Sequence, residues 1–152
     1  MREADSLNIP LTYLRSGLDK MKLGLTIQEE RKSMPNPITW FELIGTDPIK
    51  LQKFYKDVFN WKLGVPAGPE MGNYSMLDNE KKGIGGGVGG AMDGKPRVTI
   101  YIEVDSPKAY LTKATKAGAK VIMPETTVME GVTIAMFTDP AGNIMGLLKS
   151  TK

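Results

Sequence analysis

The residues able to do chemistry fall in three short stretches. They are the run KGIGGGVGG (Lys82 to Gly90), Glu42 in ITWFELI, and Glu103 in VTIYIEV. Gly85, Gly87 and Gly90 satisfy a bare G-x-G-x-x-G. A phosphate cradle needs a helix to begin just after its glycines, so that the helix N-terminus faces the anion. Here the run leads into AMDGKPR and then a strand-like segment, with no Lys-Ser or Lys-Thr behind it. The glycines therefore read as a strand that bulges or that something approaches closely. Gly89, Gly90 and Gly94 fit equally well a flexible hairpin edge or linker. Buried glutamates can serve as general base and acid, since burial raises their pKa. With backbone help they can also hold a hard cation such as magnesium. A salt bridge to Arg97 or a lysine, or a solvated edge, is the alternative for both. The chain has no histidine and no cysteine. That excludes serine–histidine and cysteine nucleophiles, disulfides and zinc fingers.

The elements that position these residues follow from periodicity. Ile38 to Ile44 is rich in β-branched and aromatic residues and reads as a strand. Asp47–Pro48 is an N-cap with a first-turn proline, and Leu51, Phe54, Tyr55, Val58 and Phe59 form one apolar helical face. Trp61 to Val65 and Tyr74 to Leu77 are the next strands. From Val98 the order recurs: strand, Ser106–Pro107 cap, helix closed by Gly118, strand at Lys120 to Met123, strand at Thr133 to Phe137. The two cap–proline pairs are 59 positions apart (47 to 106), and the glycine run falls opposite Asn143 to Leu148. The chain is an internal repeat of strand–helix–strand–strand–strand. Upstream, Leu11, Leu14, Leu18, Met21 and Leu25 mark an amphipathic helical arm, ended by MPNP at Met34 to Pro37. That stripe needs something to pack on, because a short, glycine-broken helix is not stable alone. The expected domains are the arm and linker at 1–36 and a globular domain at 37–150, with modules at about 37–92 and 97–150.

The residues FELIGTDPIKLQKFYKDVFNW, GIGGGVGG, YIEVDSPKAYLTKATKAGAKVIMP and FTDPAGNIMGLL resemble, in type and order, the vicinal oxygen chelate superfamily of glyoxalase I, bleomycin resistance proteins and extradiol dioxygenases. The resemblance covers about Asn36 to Lys149. It implies an α+β fold in which two tandem βαβββ modules form a curled mixed sheet around a shared cleft, here with an added N-terminal helical arm. In metal-dependent members four strand side chains, usually His, Glu or Gln, meet a divalent ion. The matching positions here are Trp40, Thr99, Gly86 (within one residue) and Gly146, none a competent transition-metal ligand. No metal and no cofactor are therefore expected.

Strand alternation places Phe41, Leu43, Ile100, Ile102 and Val104 toward the helices. Trp40, Glu42 and Ile44, with Thr99, Tyr101 and Glu103, then face the cleft. Trp40 and Tyr101 stack on a ligand or fill a dimer interface. The expected ligand site is Trp40, Tyr74, Gly85, Gly86, Gly87, Thr99, Tyr101, Phe137 and Gly146, with Glu42 and Glu103 as acceptors or catalytic groups. Three functions are compatible with this. The first is metal-independent binding of a flat, apolar or cationic small molecule. The second is a metal-free or magnesium-assisted isomerase, lyase or hydrolase using the two glutamates, with glyoxalase-type lyase and dioxygenase activities disfavoured. The third is a regulatory module docking through the arm, with a homodimer as one arrangement. A net charge of +3 with scattered lysines gives no nucleic-acid footprint. No apolar run reaches the roughly 20 residues that cross a bilayer, and the acidic N-terminus is not a signal peptide. A cytoplasmic location is the default expectation.

Overall fold

The computed structural model describes residues 35–80 and 82–151. The leucine stripe of the expected arm lies outside the described residues. The described chain runs β1 (Ile38–Gly45), α1 (Pro48–Phe59), β2 (Lys62–Leu63), a 3-10 turn (Pro69–Met71), β3 (Ser75–Asp78) and β4 (Gly85–Gly90), then β5 (Arg97–Val104), α2 (Pro107–Lys116), β6 (Lys120–Met129), β7 (Val132–Thr138) and β8 (Ile144–Lys149). The strands form one sheet in the order β2-β3-β4-β1-β5-β8-β7-β6. That order is a palindrome of modules: each first strand sits at the centre and pairs in parallel with its own fourth strand.

The repeat is exact in register. Glu42 lies opposite Gly87, and 59 positions on Tyr101 lies opposite Gly146. Phe41 and Ile100, also 59 positions apart, face each other across the antiparallel β1–β5 pair. The pseudo-twofold axis therefore passes through that pair. Local chemistry repeats with it. The Asp47 side chain accepts from the Lys50 N–H at 2.9 Å, and the Ser106 hydroxyl accepts from the Ala109 N–H at 3.3 Å, each with proline in the first helical turn. α1 ends on Asn60 in the left-handed region, and Gly118 (φ 97°) follows α2.

Val104, Leu111, Ala135 and Leu147 form a buried cluster under α2, with Ile102, Tyr110 and Phe137 packed on it. α1 departs from the expected apolar face. Phe54, Val58 and Phe59 are more than half exposed, and the buried side chain is Gln52. The Gln52 Nε2 donates to the Asn73 carbonyl at 2.7 Å and to the Val88 carbonyl at 3.1 Å. Backbone oxygens beneath the helix thus select an amide where periodicity alone calls for an apolar residue. The TDPAGN turn is held by one carboxylate: Asp139 Oδ1 accepts from the Ala141 and Asn143 N–H groups, both at 2.9 Å, and Oδ2 accepts from the Asn143 amide at 2.8 Å. These bonds hold the Asp139 carboxyl below the usual carboxylate range. Among the described residues no helix is long and apolar enough to cross a membrane.

Candidate functional site

The face of the sheet opposite the helices carries a cavity of about 410 Å³. Module one contributes Trp40 and Glu42 from β1, Met71 from the 3-10 turn, Tyr74, and Met76 from β3. Module two contributes Tyr101 from β5, Val128 and Met129 from β6, Val132 and Ile134 from β7, and Leu148 from β8. The lining is apolar and aromatic apart from one carboxylate, as small-molecule pockets are.

The polar groups form a single chain. Trp40 Nε1–H donates to the Tyr74 hydroxyl at 3.1 Å. Tyr74 in turn acts on Glu42, helping to pull its carboxyl down. From the other module the Tyr101 hydroxyl donates to Glu42 Oε2 at 2.8 Å. Burial pushes the Glu42 carboxyl above the ordinary value of 4.5, against the opposing pull of the two phenols and the Arg97 charge. Burial, and then the Glu42 charge, push both tyrosines well up. They are neutral phenols at any physiological pH.

The glycines hold this chain in place. Gly85 lies beneath the indole, where an added Cβ would come 2.6 Å from Trp40 Cε3. A Cβ on Gly87 would collide with the Tyr74 hydroxyl end, one on Gly89 with the Tyr74 ring, and one on Gly146 with the Tyr101 ring. The glycine run is thus a bed for aromatic rings, which then present themselves to the cavity. Gly86 is on the other side of β4: a Cβ there would strike the Phe41 ring, on the helix-facing side. The residue equivalent to Gly146 is Gly87, one position from the expected Gly86.

The structure brings Trp40, Glu42, Tyr74 and Tyr101 together, with Gly85, Gly87 and Gly146 beneath them. It places the other expected residues elsewhere. Thr99 sits opposite Glu42, fully buried, with a hydroxyl that has no hydrogen-bond partner, and it does not line the cavity. Phe137 packs on the core under α2. Glu103 pairs with Leu148 at the end of β5 and is absent from the lining, so the two glutamates do not converge there. Sequence reasoning missed the methionines and the β6–β7 wall. Met76 and Leu148 had a signal, each standing two residues past an inward position (Tyr74, Gly146). Met71, Val128 and Met129 had none, because their positions depend on how the 3-10 turn and the long β6 fold over.

These residues do not fit a transition-metal site. Gly87 and Gly146 stand where the last strands approach the pseudo-axis and offer no side chain, and the space above them holds phenol rings. Glu42 is the one carboxylate of the lining, its tyrosine neighbours are poor ligands while protonated, and no group of three His, Cys, Asp or Glu exists among the described residues.

Residues 37–146 match the model of the Glyoxalase/Bleomycin resistance protein/Dioxygenase superfamily, and the chain belongs to that family. It is 28% identical over 123 residues to the anthracycline biosynthesis protein DnrV of Streptomyces peucetius, an alignment covering 71% of this chain and 45% of that protein. The chain thus spans less than half the length of that curated relative. The fold is similar to the hypothetical protein BH1468 of Bacillus halodurans C-125, with a TM-score of 0.58, 16% identity and coverage of 78% and 97% of the two chains. It is also similar to a Streptomyces coelicolor methylmalonyl-CoA epimerase variant in complex with 2-nitronate-propionyl-CoA, with a TM-score of 0.56, 16% identity and coverage of 78% and 96%.

Proposed function

We propose that the chain is a metal-independent binding protein for a flat, largely apolar small molecule, held in the cavity between the two modules. The observation that carries this reading is the apolar cavity of about 410 Å³ with the Glu42 carboxyl, tethered by Tyr101 at 2.8 Å, as its one charged group. Trp40, Tyr74 and Tyr101 are oriented by hydrogen bonds and by glycines, so their rings are ordered before a ligand arrives, which limits the entropy lost on binding. A relative named for anthracycline biosynthesis supports a polycyclic aromatic ligand.

The test is saturable quenching of Trp40 fluorescence by soluble anthracene and anthraquinone derivatives. It is measured in a Trp61→Phe background, which preserves the stack of residue 61 on Tyr55 (centroids 5.0 Å apart). Gly87→Ala drives a Cβ into the Tyr74 phenol and displaces that ring, so it should weaken quenching while the fold survives. Gly86→Leu drives into Phe41 instead and should cost about 3 kcal/mol or more of stability, because it overpacks the helix-facing side. Absence of saturable quenching with every probe overturns the reading.

A second reading has a specific observation behind it. A carboxyl whose pKa is raised by burial is suited to general-base catalysis, so Glu42 could carry an isomerase or lyase step by itself. Turnover abolished by Glu42→Gln with binding retained would favour it.

A further inference from the structure

The ligand's chemistry follows from what the cavity's polar groups have left to offer. The lining side chains contain three donors: Trp40 Nε1–H donates to Tyr74 at 3.1 Å, the Tyr101 hydroxyl donates to Glu42 at 2.8 Å, and the third, the Tyr74 hydroxyl, acts on the same carboxylate. The lining contains no lysine and no arginine. Arg97, whose charge reaches Glu42, directs its Nη1 to Asp93 Oδ1 at 2.8 Å and to the Lys95 carbonyl at 3.1 Å. The larger remaining capacity is acceptor capacity. A carboxylate offers about four lone-pair sites, and the Tyr101 phenol occupies one of them. The groups set against Glu42 are thus Tyr101 on β5, Tyr74 ahead of β3, and the more distant Arg97.

Three ligand classes meet this site differently. A carboxylate would set like charge against Glu42 in an apolar enclosure. A carbonyl or other pure acceptor would be desolvated beside the Glu42 carboxylate with at most the Tyr74 hydroxyl to receive it. A cation would donate to Glu42, complete a partly buried ion pair that lacks its positive partner, and lie against aromatic faces. Building on the cavity-binding reading above, we propose that the ligand is a flat aromatic molecule bearing a protonated amine, with the ammonium on Glu42 and the rings among Trp40, Tyr74 and Tyr101.

Matched probes separate this proposal from the reading it rests on. Aminomethylanthracene, hydroxymethylanthracene and anthracenecarboxylate share one ring system and differ in what they bring to Glu42. Each is titrated into the full chain near neutral pH, following Trp40 quenching in the Trp61→Phe background. The amine should bind about tenfold more tightly than the alcohol, since it makes a charge-assisted bond where the alcohol makes a neutral one, and the carboxylate should bind weakest. Glu42→Gln should bring amine and alcohol to similar affinity while leaving the alcohol bound. Tyr101→Phe keeps the carboxylate and frees the lone pair that the phenol occupied, so it should retain or increase the amine preference, and loss of that preference in Tyr101→Phe overturns the ligand class if Glu42→Gln does not fold. Equal affinity for all three probes, a preference for the carboxylate, or an amine preference unchanged in Glu42→Gln overturns the ligand class and leaves the cavity reading standing. Absence of binding by all three removes both.

Discussion

Glu42 is the residue on which the site turns, and its environment has a measurable consequence. Its carboxyl is raised above the ordinary value of 4.5 mainly by burial, with Tyr101, Tyr74 and Arg97 pulling the other way. The folded state then holds that proton more tightly than the unfolded state. By linkage this contribution to stability is present at low pH and is lost as pH rises from the ordinary carboxyl range through the raised folded value. Glutamine cannot ionise, so Glu42→Gln should gain stability relative to wild type between about pH 4 and pH 7. Urea unfolding at the two pH values measures the gap. A gap that closes toward neutrality would show that the phenol hydrogen bonds outweigh burial.

At the scale of elements, α1 is tied to the sheet by polar chemistry as much as by apolar contact. Gln52 supplies two hydrogen bonds to backbone carbonyls, one of them on β4, the strand whose glycines seat Trp40 and Tyr74. Gln52→Leu would keep the bulk and leave both oxygens without that donor. It should destabilise by about 1–3 kcal/mol, the cost of an unsatisfied buried polar group. Thermal unfolding of the variant checks this, and a melting temperature equal to wild type would show that the carbonyls find other partners. A loosened β4 would also slacken the aromatic bed, so the Trp40 emission maximum should shift.

The domain from Asn36 onward is a near-twofold object whose axis passes through the Phe41–Ile100 pair. The symmetry brings two glycines, Gly87 and Gly146, to equivalent places opposite Glu42 and Tyr101. A metal site at such an axis draws ligands from both modules, and here both last strands contribute none. The purified protein should contain no stoichiometric zinc, nickel, iron or manganese by elemental analysis. About one ion per chain, lost in Glu42→Gln, would place the metal on the carboxylate and reverse the conclusion.

The repeat, the caps and the inward faces of β1 and β5 were legible in the sequence, because each is local. Asp47–Pro48 and Ser106–Pro107 announce helix starts. Alternation in ITWFELI and VTIYIEV separates Phe41 and Ile100 from Trp40, Glu42 and Tyr101. β4 carries no such signal: five of its six residues are glycine, so nothing in the run tells Gly86 from Gly87. Pairing with β1 decided which glycine lies under a cavity ring and which under Phe41. The same holds for the residues that moved. Phe137 packs on the core under α2, and Glu103 lies outside the lining although its partner Leu148 is in it, so reaching the cavity is decided by contacts far apart in the chain. The residue types that do the chemistry were therefore set by the sequence alone. Their convergence on one carboxylate required the two modules to close on each other, because the Tyr101 hydroxyl that donates to Glu42 comes from the other side of the pseudo-axis.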